Sequence, residues 1–157
     1  VLARLAHAHV KEQLPSVGWL DLQDTPLPLC DGAAAYSHPA VATISEQIKN
    51  AGAILLATPV YNYDANAAAK NLIELTGKAW ENKLVGFLCA AGGNSSYMSI
   101  MSLANSLMLD FRCIILPRFV YAAESSFADG QLTDPKVLQR IAQLGDEWLR
   151  LGALLAA

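Results

Sequence analysis

A continuous apolar run, residues 52–59 (GAILLATP), constrains the fold more than any other feature of the chain. It has strand length and no polar alternation, the pattern of a parallel strand buried on both faces. Residues 82–93 (NKLVGFLCAAGG) repeat the arrangement of an apolar strand ending in glycine. A parallel pair needs a long crossover, usually a helix. Between the two runs, residues 67–76 read as a helix, with Gly77 as its stop.

The rest of the chain continues this alternation. Residues 1–13 predict a helix with Leu2, Leu5, Ala6 and Val10 on one face. Residues 18–22 (GWLDL) read as a short strand, followed by a proline-rich loop, QDTPLPLCDG. Pro39 opens a second helix in which Val41, Ile44 and Ile48 recur at helical spacing. A helix from about Ser96 places Tyr97, Ile100, Met101, Ala104, Leu107 and Met108 on one face. Residues 112–122 (RCIILPRFVYA) form a further strand, bent or near a sheet edge at Pro117, which has no N–H to donate. The last helix opens at Thr133-Asp134-Pro135 and buries Val137, Ile141, Leu144, Trp148, Leu151 and Leu155. Strands alternating with helices at this spacing specify one α/β domain over residues 1–157, a doubly wound parallel sheet with helices on both faces.

Composition narrows the function. Apolar residues make up 54% of the chain and charged residues 16%, which suits a core covered on both sides with apolar surface left for a subunit contact. A net charge of −3 without a basic run argues against nucleic acid as a partner. No apolar stretch is long enough to span a membrane, and no signal-peptide pattern is present. Cys30, Cys89 and Cys113 fit no metal spacing, and His7, His9 and His38 do not cluster with them, so no metal site is expected. These features fit a cytoplasmic protein.

Two polar loops follow the apolar runs, Thr58-Pro-Val-Tyr-Asn-Tyr-Asp64 and Ala90-Ala-Gly-Gly-Asn-Ser-Ser96. Open α/β sheets bind ligands at the carboxyl ends of their strands. Neither loop holds a nucleophile–base pair, and the chain has no phosphate-binding P-loop and no dinucleotide glycine fingerprint. What the loops offer is backbone N–H groups, flat aromatic rings and amide side chains. Such groups suit a planar heteroaromatic cofactor whose own ring carries the redox chemistry, so no side chain is assigned a catalytic role. Taken alone, Tyr61 and Tyr63 could equally cap the core, Gly92-Gly93 could mark a turn, and Asn94 could cap the next helix. Lys70 reads as a solvated or interface charge, and Arg112 and Arg118 as surface ion-pair residues or contacts for a ligand phosphate.

The stretch TPVYNYDANAAAKNLIEL resembles the signature of the NADPH-dependent FMN reductase family, T-P-E-Y-N-x-S-x-P-x-x-L-K-N-x-I-D. Thr58, Pro59, Tyr61, Asn62, Lys70, Asn71 and Ile73 match, while Val60, Asp64 and Asn66 replace its glutamate, serine and proline. TPLPLCD and AAGGNSSYMSIMSL are similar to two further family segments. The resemblance implies a flavodoxin-like fold of strand order 2-1-3-4-5 with FMN at the switch point. It places Pro59, Val60, Tyr61, Asn62 and Tyr63 beside the isoalloxazine, and Gly92, Gly93 and Asn94 at its pyrimidine edge. It also implies hydride transfer from NADPH or NADH through FMN to a small acceptor such as a quinone, azo compound, metal oxyanion or free flavin, in a homodimer or homotetramer. A flavodoxin-type electron carrier and a domain that has lost FMN are the other readings. The family's first strand and phosphate loop have no counterpart ahead of residue 1, so about 15–25 further upstream residues are expected.

Overall fold

The computed structural model describes residues 1–156. In chain order the elements are α1 (Leu2–Gln13), α2 (Pro39–Asn50), β1 (Ala53–Tyr61), β2 (Asp64–Ala65), α3 (Ala67–Thr76), β3 (Leu84–Ala91), α4 (Met101–Phe111), β4 (Ile114–Ile115), β5 (Val120–Ala123), β6 (Phe127–Ala128), β7 (Gln131–Leu132) and α5 (Pro135–Ala156).

The sheet is parallel at its centre. β1 pairs with β3 from Ala53↔Leu84 to Pro59↔Ala90, which brings the ends of the two apolar runs side by side. β4 and β5 both pair with β3, at Leu84↔Ile114 and from Leu88↔Val120 to Ala91↔Ala123. They are two halves of one strand broken around Pro117 and Arg118, where Arg118 takes a left-handed φ of +62°. The bend expected at Pro117 is therefore a full interruption. The resulting order β1-β3-β4/β5 matches the last three strands of the expected 2-1-3-4-5 sheet.

Helices cover both faces, as a doubly wound sheet requires. Val85, Phe87 and Cys89 of β3 join a core with Ile44 and Ile48 of α2, Leu72 and Ile73 of α3, and Leu103 and Leu107 of α4. On the opposite face Leu84 and Leu88 pack with Leu2, Ala6 and Val10 of α1 and with Val137, Ile141, Leu144 and Trp148 of α5. The alternation follows from the two-residue period of a strand. Gly86 points into the second core, where a Cβ would lie 2.8 Å from Leu55 Cδ2 and 3.1 Å from Leu116 Cδ1. Its missing side chain sets how closely the layers approach.

Four expectations are corrected. Residues 18–22 form no strand, since no neighbouring segment among the described residues offers them a ladder. They lie against α1 instead, with Trp19 edge-on to His7 at 5.2 Å and the Arg4 guanidinium 5.6 Å from its ring centroid. β1 is not buried on both faces: Ala57 is exposed, because no ladder among the described residues runs along its other edge over Ala53–Pro59. The α4 face is turned. Tyr97–Ile100 form a 3-10 turn ahead of the helix, and this tighter period buries Ile100, Leu103, Ala104 and Leu107 while leaving Tyr97, Met101 and Met108 at the surface. In α5, Leu151 is half-buried and Leu155 is exposed, since the helix outruns the sheet it covers.

Candidate functional site

Thr58 is the last fully buried polar residue of β1, and from there the strand rises out of the core. Val60 stays buried, whereas Tyr61 and Tyr63 are 63% and 66% exposed. That exposure rules out the tyrosines as caps on the core. β1 turns back on itself as a hairpin, with Tyr61 opposite Asp64 and Val60 opposite Ala65. Asn62 and Tyr63 form the turn with φ of +51° and +65°. Two successive left-handed residues match the mirror-image hairpin turn, whose favoured sequence is Asn-Gly. A tyrosine in the glycine position costs on the order of 1–2 kcal/mol, and such outliers gather at functional sites.

Polar side chains fix this hairpin from within. The Thr58 hydroxyl donates to Asn66 Oδ1 at 3.2 Å, and the Asn66 N–H lies 3.3 Å from Thr58 Oγ1 and 3.2 Å from the Pro59 carbonyl. Asn66 Oδ1 also accepts from the Ala69 N–H at 3.0 Å, capping α3. Asp64 Oδ1 accepts from the Ala65 N–H at 2.8 Å and from the Ser102 hydroxyl of α4 at 2.7 Å. The two departures at Asp64 and Asn66 thus carry the local structure here. Asn71 holds the proline-rich loop in place, accepting from the Cys30 N–H at 2.8 Å and donating to the Pro28 carbonyl at 2.9 Å.

The second loop leaves β3 at Ala91. Gly92, Gly93 and Asn94 are exposed, and a Cβ built on either glycine meets nothing within 4 Å. Their N–H groups have no hydrogen-bond acceptor among the described residues, and neither do those of Asn62 and Tyr63. The glycine loop is held from outside: Tyr121 of β5, itself buried, donates its hydroxyl to the Gly93 carbonyl at 2.5 Å. Tyr97 stacks on Phe119 with centroids 4.8 Å apart and meets Tyr121 edge-on at 5.5 Å. Asn94 caps nothing, since Ser96 precedes the 3-10 turn and no side chain caps it.

The structure therefore brings the expected site residues to the carboxyl ends of two adjacent strands, as rings, open N–H groups and space above two glycines. A planar ring system with acceptor oxygens fits that set. Nucleophilic chemistry does not: Cys89 lies beneath the loop, and burial pushes its thiol up to about 12. Cys113 is raised by burial as well, and its thiol donates to the Trp80 carbonyl at 3.1 Å. Lys70 pairs with Glu74 at 2.8 Å on the surface, Arg112 with Glu81 at 3.7 Å, and His38 Nδ1 accepts from the Ala40 N–H at the start of α2. No cluster of three or more potential metal ligands occurs among the described residues. Sequence reading missed Tyr121 and the Asp64–Ser102 link, because both join positions 28 and 38 residues apart with no spacing that signals them.

Known proteins resemble this chain in sequence and in fold. The chain is 30% identical over 131 residues to the NAD(P)H-dependent FAD/FMN reductase of Geobacillus thermodenitrificans, an alignment covering 82% of this chain and 71% of that one. It is 27% identical over 154 residues to the NADPH:quinone oxidoreductase of Arabidopsis thaliana, covering 91% and 79%. The fold superimposes on the flavoenzyme NAD(P)H:(acceptor) oxidoreductase of Paracoccus denitrificans with a TM-score of 0.73 at 18% identity, covering 98% and 90%. Residues 1–128 match the model of the NADPH-dependent FMN reductase family, and with the relatives this match shows that the chain belongs to that family.

Proposed function

We propose that residues 1–157 form a single FMN-binding domain of an NAD(P)H-dependent oxidoreductase whose acceptor is a small molecule, a quinone or a free flavin. Family membership supports the class of reaction. The observation that carries the site is the pairing of a strained Asn62-Tyr63 turn with an open Gly92-Gly93 loop at the ends of neighbouring strands. FMN held by these two loops would supply the redox chemistry that links the nicotinamide to the acceptor.

The chain's own part is placement. Pro59, Val60, Tyr61, Asn62 and Tyr63 would border the ring, the tyrosines presenting flat apolar faces that exclude water. Gly92, Gly93 and Asn94 would supply N–H donors to its oxygen-bearing edge without side chains in the way. Hydride transfer needs orientation more than proton donors, and these residues supply orientation. The quinone and flavin acceptors rest on what the relatives are named for. A second copy would cover the apolar surface around α4, where Met98, Met101 and Leu109 stand exposed, giving a homodimer or a homotetramer built from it. Reduced nicotinamide is chiefly a cytoplasmic supply, and that is the reason for assigning the protein there.

Absorption spectra of the protein with added FMN, followed by rapid mixing with NADPH or NADH, test the reading. A perturbed flavin spectrum that bleaches within the first turnover is expected. Protein that leaves the FMN spectrum and fluorescence unchanged overturns the cofactor; bound flavin that neither nicotinamide bleaches makes the chain an electron carrier.

A further inference from the structure

We propose that Tyr121 is a positioning residue for the flavin, one that aims the Asn94 N–H into the site by holding the carbonyl of the preceding residue. The inference rests on the cofactor reading above and adds a residue outside both loops to it. Gly93 C=O and Asn94 N–H belong to one peptide unit, which is planar and trans, so the two groups point in opposite directions. The Tyr121 hydroxyl takes the carbonyl at 2.5 Å. The N–H at the opposite edge of that plane is thereby directed away from the Tyr121 hydroxyl, and it meets no acceptor among the described residues.

Three observations indicate that this alignment is built in. Tyr121 is buried, and its register opposite Cys89 in the parallel ladder fixes where the hydroxyl emerges. Tyr97, which follows the loop, packs against both Phe119 and Tyr121, so one short strand holds the loop at Gly93 and again at Tyr97. Gly92 and Gly93 have no side chains to fix their own peptide planes, and without an outside bond a diglycine samples many orientations. An N–H aimed in advance binds an acceptor oxygen without first losing that freedom.

The test is Tyr121→Phe, which keeps the ring packing and removes only the hydroxyl. Riboflavin and FMN are each titrated against the parent protein and the variant, and the Asn94 amide resonance is followed in ¹⁵N spectra. The expected result is a loss of affinity of about three- to tenfold for the variant. The loss should be equal for riboflavin and FMN, because the bond acts at the ring and not at the phosphate, and the visible band of the bound flavin should shift. In the parent protein the Asn94 amide proton should move downfield when flavin binds, a result that does not depend on how the variant folds. Parent protein that binds neither flavin defeats the cofactor reading itself. Flavin binding with an unmoved Asn94 amide overturns the role of Tyr121, as does a variant with unchanged affinity or one that loses FMN while retaining riboflavin.

Discussion

The two loops at the ends of β1 and β3 are held in place by opposite means. The hairpin of residues 58–66 is rich in side chains and holds itself: Thr58, Asp64 and Asn66 supply most of its bonds, and it keeps two residues in left-handed backbone. The loop of residues 92–94 has almost no side chains of its own and is held by Tyr121 of the adjacent strand. Self-held loops carry strain because local hydrogen bonds over-determine them. Glycine loops gain space for a ligand at the cost of order, which must then come from elsewhere. A flat ring between them would meet side chains on one flank and bare backbone on the other.

The largest expected effect comes from filling the bare flank. Gly93→Val adds a Cβ and two methyls where the protein itself places nothing within 4 Å. The fold should hardly notice, with unfolding free energy within about 0.5 kcal/mol of the parent. Flavin affinity should fall by up to about a hundredfold, since overpacking against a ring costs on the order of 1–3 kcal/mol. Urea melts and fluorescence titrations on the same samples measure both; retained affinity would show that the ring does not lie over Gly93.

Breaking the self-held flank should act on stability first. Thr58→Val removes a buried hydroxyl that serves Asn66 in two ways, and a loss of about 1–3 kcal/mol in unfolding free energy follows. Next in size is Tyr63→Gly, with the opposite sign. Relief of the left-handed tyrosine is offset in part by the entropy glycine loses on folding, leaving a net gain of about 0.5–1 kcal/mol. The same variant should bind flavin less tightly, because an exposed aromatic face is gone. A Tyr63→Gly protein that is less stable would show that the turn stores no strain, and one equally tight for FMN would show that Tyr63 does not border the ring.

How far these features were legible depends on how local they are. α3 begins after Asn66 and ends at Gly77 with φ of +40°, both of which are readable because cap and stop lie within the helix's own sequence. The Pro39 start of α2 is of the same kind. The exposure of Ala57 is not readable, since an apolar run reports what the strand tolerates and the neighbours decide what covers it. The phase of α4 fails for another reason: a 3-10 turn precedes the helix, and a single period cannot describe both. The β6–β7 hairpin, with Asp129 and Gly130 at φ of +49° and +75°, carries a strong local turn signal, but arms of two residues are too short for a search by apolar runs. At the site, the loops are visible as polar strand ends. Their supports are not, because Tyr121 and Ser102 act across the fold.

The smallest effect tests whether the two flanks are independent. Asp64 stands where the family signature has serine, and its carboxylate reaches the Ser102 hydroxyl at 2.7 Å. That bond joins the self-held hairpin to the helix that follows the glycine loop. In Asp64→Ser the shorter hydroxyl can still serve the neighbouring N–H but cannot span to α4. The bond is exposed, so the loss should be only about 0.5–1 kcal/mol. A double-mutant cycle isolates it: Ser102→Ala should cost a similar amount in the parent and almost nothing once Asp64 is serine. The same coupling should appear in FMN affinity, since a hairpin free of α4 no longer holds its distance from the glycine loop. Additive losses in both quantities would mean that each flank is positioned by its own strand alone, with the ring itself as the only thing that brings them into register.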